Sequence, residues 1–497
     1  MNILVVQIST NDMRGIVFNE NSDVRYQTEI QYHPWQFGEG IIEQNPLEWN
    51  GALSEICRNS MGFLAANGES LEAIVYTSLR SSIIPVDERG KALRNAIMWT
   101  DTRNAEYVRV LSDKAGKIYA LSGSVPNTVF SGTKMRWIME HEPEIYKQTC
   151  KFCTIGDYLN HVMTGEFRTD YTYAGRSLLM NVDELEWDEE LLNIIGVEKE
   201  KLCEITAPGS ITGFTTEAFS KSSGVPAGIP VISAGGDQQC NALGAGVLKE
   251  HSVEITVGPG GYILASSTTR PTNMKDGIMC SPHVIPGKYL LECAMINSDD
   301  IYRWMNRILY GNDREMPKSF VQIDQVVDET PAGSHGCLMI PYMHGRGTPD
   351  WNMNAFGGFL NVTPSTTKGD MARSTLEAIA CEMKNMLDVL KNWESLPGEI
   401  FLGGYLVHSR AFCQMLADAT GIVMKRNITP IAQTAFGAFV VASVTLGIYC
   451  SHEEAYLRGK QHSRYKTFSP NPENYEIYGR MRDRICSLYE RLSDVRI

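Results

Sequence analysis

The sequence predicts an α/β fold built as two related domains, and three observations carry that expectation. The chain has 497 residues, more than one hydrophobic core normally supports, so two domains of roughly 250 residues each are expected. Short apolar, β-rich runs alternate with helical patterns along its length. A strand, loop, strand pattern near residue 5 returns about half a chain later.

The first hairpin joins the β-rich runs Ile3–Val6 and Gly15–Phe18, and the polar stretch from Gln7 to Arg14 between them is longer than a tight turn needs. LEAIVYTS (71–78) reads as a strand, SGTKMRWIMEHEPEIYKQ (131–148) as one amphipathic helix, and GIPVISAGG (228–236) as a buried strand ending in glycines. VEITVGPGGYILAS (253–266) is the second hairpin. Two hairpins so spaced suggest related domains; chance similarity is the competing account. Farther on, STLEAIACEMKNMLDVLKNW (374–393) has helical spacing, EIFLGG (399–404) is a strand, and SRAFCQMLADATG is a helix closed by Gly421. AFGAFVVASVTLGIYC (435–450) is shorter than the roughly 20 residues of a membrane span and contains Ser443 and Thr445, so it reads as a buried core helix.

Composition narrows the function. With 43% hydrophobic and 21% charged residues the chain is of ordinary globular type, and its net charge of -13 argues against a nucleic-acid surface and for small-molecule partners. No basic segment leads into a signal-length apolar stretch, and twelve scattered cysteines fit reduced thiols, so the expected compartment is the cytoplasm. Cys150 and Cys153 form a C-x-x-C pair with no second pair, which fits packing thiols better than a zinc or redox site.

Glycine pairs or clusters end or join strands at 235–236, 258–261 and 403–404. Any one serves a turn. Three together point to a nucleotide cleft, because glycine lets a ligand approach the backbone where a helix N-terminus favours negative charge. GGDQQCNALGAG (235–246) places Asp237 directly after a buried strand. There it can accept a proton from a hydroxyl, with Gln238 holding a neighbouring hydroxyl; a helix N-cap is the alternative. The sequence has no histidine-rich metal motif, no G-x-S-x-G elbow and no G-x-x-x-x-G-K-S/T loop. A proton-accepting Asp among glycine-rich loops points to phosphoryl transfer onto an alcohol.

These residues resemble the FGGY carbohydrate kinase family. The likeness runs nearly end to end, in IIEQNPLEWN (41–50), NAIMWTDTRN (95–104), FSGTKMRWIMEHEPEIY (130–146), the stretches 156–197 and 228–246, MIPYMHGRGTPDWN (339–352), IFLGGYLVHSRAFCQMLADATG (400–421) and TAFGAFVVASVTLGIY (434–449). The resemblance implies a pair of actin-like (ribonuclease H-like) α/β domains. Residues 1–246 would carry sugar and catalytic base, residues 247–497 the nucleotide, with ATP, Mg²⁺ and sugar in the cleft between them. It implies Asp237 as the base, Gln238 beside the substrate, and Arg80 and Trp99 facing it. Asp101 and Arg103 form a structural ion pair nearby. Thr10, Asn11, Gly258 and Gly260 fall on the phosphate loops, Gly403 and Gly404 on the nucleoside corner; the metal ligands are unassigned.

Three departures fall on the nucleotide side. Gln7 and Ser9 replace an Asp and a Gly of the first loop, with Asp12 near enough to substitute in part for the lost charge. The second loop is GPGG, without a hydroxyl and, at Pro259, without a backbone N–H. Bulky Tyr405 follows Gly404. The reading is therefore ATP-dependent phosphorylation of a primary hydroxyl of a sugar or polyol, such as a pentulose. The rival is a catalytically silent sugar-binding or regulatory member of the fold. Val129 and Ser81 stand where glycerol kinases carry an aromatic residue and an acid, which disfavours glycerol, and SPHVIPGKYLLEC (281–293) leans toward a quorum-signal sugar. No nucleic-acid or membrane partner is expected, and a homodimer is the default assembly.

Overall fold

The computed structural model describes residues 1–38, 40–311, 324–343, 345–429, 432–461 and 463–492. His344, within the segment 339–352, lies outside them. The chain divides into two units, one holding Met1–Leu248, Cys280–Leu290 and Pro430–His462, the other Lys249–Met279, Leu291–Thr429 and Ser463–Ile497.

The first unit is organised by a six-stranded sheet of β1 (Asn2–Ile8), β2 (Asp12–Asn19), β3 (Val24–Gln31), β4 (Ala73–Ser78), β5 (Ile211–Phe214) and β6 (Pro230–Gly236), in the order β5-β6-β4-β1-β2-β3. Successive side chains of a strand point to opposite faces, and both faces here are covered. Leu4, Val6 and Ile8 of β1 pack with Trp49 and Leu53 of helix α1 (Pro46–Ala66), while Ile3 and Val5 join the opposite core with Phe439 and Val440. Those last two lie on a helix from near the other end of the sequence.

The second unit repeats the plan. Its sheet includes β7 (Val253–Val257), β8 (Gly261–Ser267), β9 (Tyr289–Met295), β10 (Glu399–Gly403), β11 (Val423–Asn427) and β12 (Tyr465–Phe468), in the order β9-β8-β7-β10-β11-β12. In the first sheet β5-β6 is antiparallel, β6-β4 and β4-β1 parallel, and β1-β2 antiparallel. The pairs β12-β11, β11-β10, β10-β7 and β7-β8 follow the same series. The two hairpins are equivalent elements of related units.

Two local expectations need correction. The first loop is short: Gln7 pairs with Arg14 and Ile8 with Met13, which leaves only Ser9–Asn11 between the strands. Polar composition concealed an extended ladder, because Met13 is buried while Arg14 points outward to Glu29. The expected helix 131–148 is two helices, Ser131–His141 and Pro143–Gln148. Pro143 lacks the N–H that a continuous helix needs and disfavours helical geometry at Glu142.

The apolar run 435–450 does form a core helix, α3 (Gln433–Thr445), packed against α2 (Asp237–Ala245). The helices meet at small residues, since a Cβ on Gly437 would lie 1.8 Å from the Cys240 carbonyl oxygen and one on Gly244 2.1 Å from that of Gln433. Cys153 is buried beside Cys203, 3.9 Å between sulfurs, while Cys150 is partly exposed. Among the described residues no helix is long and apolar enough to cross a membrane.

Candidate functional site

Asp237 begins α2 directly beyond the end of β6, an interior strand. The approach to it is held by side chains. The Gly235 carbonyl accepts hydrogen bonds from Thr77 Oγ1 at 2.8 Å and Tyr173 Oη at 2.9 Å, and the Gly236 N–H donates to Thr172 Oγ1 at 2.8 Å. Thr172 in turn donates to the buried Asp170, whose carboxyl is pushed up by burial. The helix N-cap is Gly236, and Asp237 Oδ1 accepts from the Gln238 N–H at 2.8 Å. A partly exposed carboxylate is thus presented on a rigid step from strand to helix.

Arg80 enters from just beyond β4, the neighbouring strand. Its Nε lies 3.5 Å from Asp237 Oδ1, and Nη1 donates to Gln239 Oε1 at 3.4 Å. Gln239 is fully buried and donates through Nε2 to Ser281 Oγ at 3.1 Å, which orients its oxygen toward the guanidinium. Gly236 makes room for this arrangement, since a Cβ there would lie 2.6 Å from Arg80 Cδ. Ser81 adopts φ +71°, a left-handed conformation uncommon outside glycine. Strain of that kind gathers at functional sites. The Gln238 Oε1 is buried and has no hydrogen-bond partner among the described residues.

Trp99 Nε1 donates to Thr10 Oγ1 at 3.1 Å, so the two meet although the resemblance set them on sugar and phosphate sides. Thr10 and Asn11 occupy the β1-β2 turn. Tyr32 donates its hydroxyl to the Ser9 and Asp12 carbonyls and its N–H to the Asn11 carbonyl, which holds the turn in place. Gln7 Oε1 is another buried acceptor without a partner among the described residues, and burial raises the Asp12 carboxyl above its usual value despite Arg14 at 3.2 Å. Asp101 and Arg103 form the expected pair, with Nε–Oδ1 2.9 Å and Nη2–Oδ2 2.8 Å. Lys134 is fully buried, donates to the Thr128 and Val129 carbonyls, and is pushed down to about 7 by burial. It anchors the loop that carries Val129.

The second unit gathers the other glycines. Gly258–Gly260 is the β7-β8 turn, again three residues long. Its carbonyls are held by the start of helix α4 (Asp299–Tyr310): the Ser298 hydroxyl and the Asp299 N–H donate to Gly258 O, and the Ser298 N–H donates to Pro259 O. Gly403 ends β10 opposite Thr256 of β7. Gly404 has φ +88°, and a Cβ there would sit 2.5 Å from the Val257 carbonyl oxygen, so only glycine fits. The glycine corner therefore packs against the end of β7, where the loop begins. Beside them, Arg303 Cζ lies 5.0 Å from the centre of the Tyr405 ring, and its Nη2 is 3.1 Å from Asp299 Oδ2.

Comparison with known proteins places this arrangement. The N-terminal domain of the FGGY family of carbohydrate kinases matches residues 2–244, and the C-terminal domain of that family matches 253–446. The chain belongs to the FGGY family of carbohydrate kinases. It is 24% identical over 493 residues to a xylulose kinase of Staphylococcus epidermidis, covering 99% of this chain and 96% of that protein. To a glycerol kinase of Thermococcus gammatolerans it is 28% identical over 464 residues, 91% and 90% covered. Among solved structures, a ligand-bound xylulose kinase from Lactobacillus acidophilus superposes with TM-score 0.89 at 23% identity, covering 99% and 98%. A Plasmodium falciparum glycerol kinase with ADP gives 0.87 at 21%, covering 100% and 99%. The actin-like two-domain fold and the phosphotransferase class of this kinase are thereby established.

Of the residues singled out in the sequence, Asp237 joins Arg80 and Trp99 joins Thr10 in the first unit of the kinase, and Gly258, Gly260, Gly403 and Gly404 come together in the second. Gln239, Ser281, Thr172 and Arg303 were not singled out. The first lies inside the GGDQQ stretch, but adjacent helical side chains diverge by about 100°, and composition does not tell which glutamine turns toward Arg80.

Proposed function

We propose that this kinase transfers the γ-phosphoryl group of ATP to a primary hydroxyl of a sugar or polyol, with pentuloses as the leading candidates. The observation that carries the reading is Asp237, a carboxylate held at the end of an interior strand with Arg80 3.5 Å away. Asp237 accepts the proton of the attacking hydroxyl as its oxygen bonds to phosphorus and ADP departs. Arg80 orients that carboxylate and donates to sugar hydroxyls, Gln238 offers Oε1 to a hydroxyl, and Trp99 packs against carbon. Thr10, Asn11, Gly258 and Gly260 face the phosphates; Gly403 and Gly404 receive the nucleoside.

Mg²⁺ keeps much of its water shell and needs only one or two protein oxygens besides the phosphates. The partnerless Gln7 Oε1 and the Asp12 carboxylate fit that donor set. When bound, the ion would neutralise phosphate charge. The small Ser81 side chain and Val129 support a substrate larger than glycerol, and the xylulose kinase relative supports a ketose.

The test is ADP release by the purified protein with Mg-ATP across pentuloses, other ketoses, polyols and a quorum-signal sugar, with Asp237→Asn alongside. The expected outcome is release dependent on one substrate, reduced about 10²- to 10⁴-fold in the variant. Sugar-induced stabilisation without ADP release would overturn the proposal in favour of a silent sugar-binding protein.

A further inference from the structure

The GPGG loop is poor in donors for a polyphosphate. Pro259 has no N–H, and the Gly258 N–H is engaged by the Gly260 carbonyl at 3.0 Å. The neighbouring helix start does not compensate, because the Ser298 and Asp299 N–H groups already donate to loop carbonyls at 2.9 Å each. A side-chain cation is a further way for this region to meet phosphate charge. Arg303 and Arg426 contact residues that follow the glycine pair. Arg426 donates to the Val407 and His408 carbonyls, so its guanidinium is bound into the backbone.

Arg303 is placed differently. It lies one turn into α4, with its side chain 45% exposed and one edge 3.1 Å from the buried Asp299. Its guanidinium lies over the Tyr405 ring at 5.0 Å. A guanidinium has five N–H donors in a rigid plane that suits phosphate oxygens. The ring holds one face of that plane and Asp299 takes one edge. Because Asp299 is bonded to the loop and Tyr405 follows Gly404, Arg303 is set by the loop and the nucleoside corner together.

We propose that Arg303 contacts the nucleotide's phosphates, supplying the donors and charge that GPGG lacks, with Tyr405 as the platform that holds its guanidinium. This rests on the nucleotide being bound by the second unit, as proposed above. It also accounts for a bulky aromatic residue directly after the glycine pair, where it fixes an arginine.

The test is calorimetric titration of the full-length protein with ADP and, separately, adenosine, without added metal, for wild type, Arg303→Ala and Arg303→Lys. Arg303→Ala is expected to bind ADP about tenfold more weakly and adenosine unchanged, with Arg303→Lys intermediate. Unchanged ADP affinity in Arg303→Ala overturns this inference alone, as does an equal loss for ADP and adenosine. Failure of the wild type to bind ADP overturns the nucleotide reading and this inference with it. Unfolding temperatures matching the wild type confirm that the variants are folded.

Discussion

Asp237 depends on Arg80 for its orientation, and Arg80 depends on Gln239. The amide of Gln239 is fully buried and has its nitrogen committed to Ser281, so its oxygen can face only the guanidinium. A hydrogen bond to a charged group contributes about 1.5 kcal/mol at the low end, close to a factor of ten. Gln239→Leu is therefore expected to raise the sugar KM about tenfold and lower kcat less, as ADP-release kinetics on the identified substrate will read. An effect on kcat alone would assign Gln239 a role in the chemical step instead. At this scale the sequence was most informative where chemistry demands one residue type. Asp237 was legible because a carboxylate after a buried strand and two glycines has few structural uses. Arg303 was not, since nothing local distinguishes it from any other helical arginine.

Elements were legible where the hydrophobic period was clear and obscure where polar residues filled a strand. Both hairpins were found, but the first turn was overestimated because Gln7 and Arg14 are polar members of a paired ladder. The opposite difficulty arose at 131–148, where continuous amphipathicity outweighed the break imposed by Pro143. The α2-α3 contact belongs to this scale too. It fixes the helix that begins with Asp237 by a close approach of backbones, which any side chain at Gly437 would disturb. Gly437→Ala is expected to destabilise the protein by about 1–3 kcal/mol, the usual cost of overpacking. A lowered urea midpoint with an unchanged m-value will show it. A midpoint equal to the wild type would mean that the helices separate without cost.

The molecule as a whole draws distant segments into its first unit, and Cys280–Leu290 is one of them. His283 there is buried, donates from Nε2 to the Val247 carbonyl at 2.9 Å, and accepts the Ile285 N–H at Nδ1. That pattern requires the neutral imidazole. Burial, with Lys288 and His452 nearby, pushes its pKa down to about 4 from 6.5. Below pH 6.5 the unfolded chain binds a proton that the folded one refuses, so His283 costs stability as pH falls toward 4, by about 3 kcal/mol in all. The difference in unfolding free energy between wild type and His283→Gln is expected to shift by that amount, in favour of the variant, between pH 7 and pH 4. A difference independent of pH would show that His283 titrates normally. By itself the sequence determined the strands, the two hairpins and the family, and it singled out Asp237 as the candidate base, because these follow from side-chain period, short-range turn chemistry and a nearly continuous motif series. Only the tertiary structure decided that residues 430–462 complete the first unit, which glutamine holds Arg80, and that Trp99 meets Thr10. Those pairings join residues far apart in the chain, and burial and close packing select among partners that local propensity leaves equal.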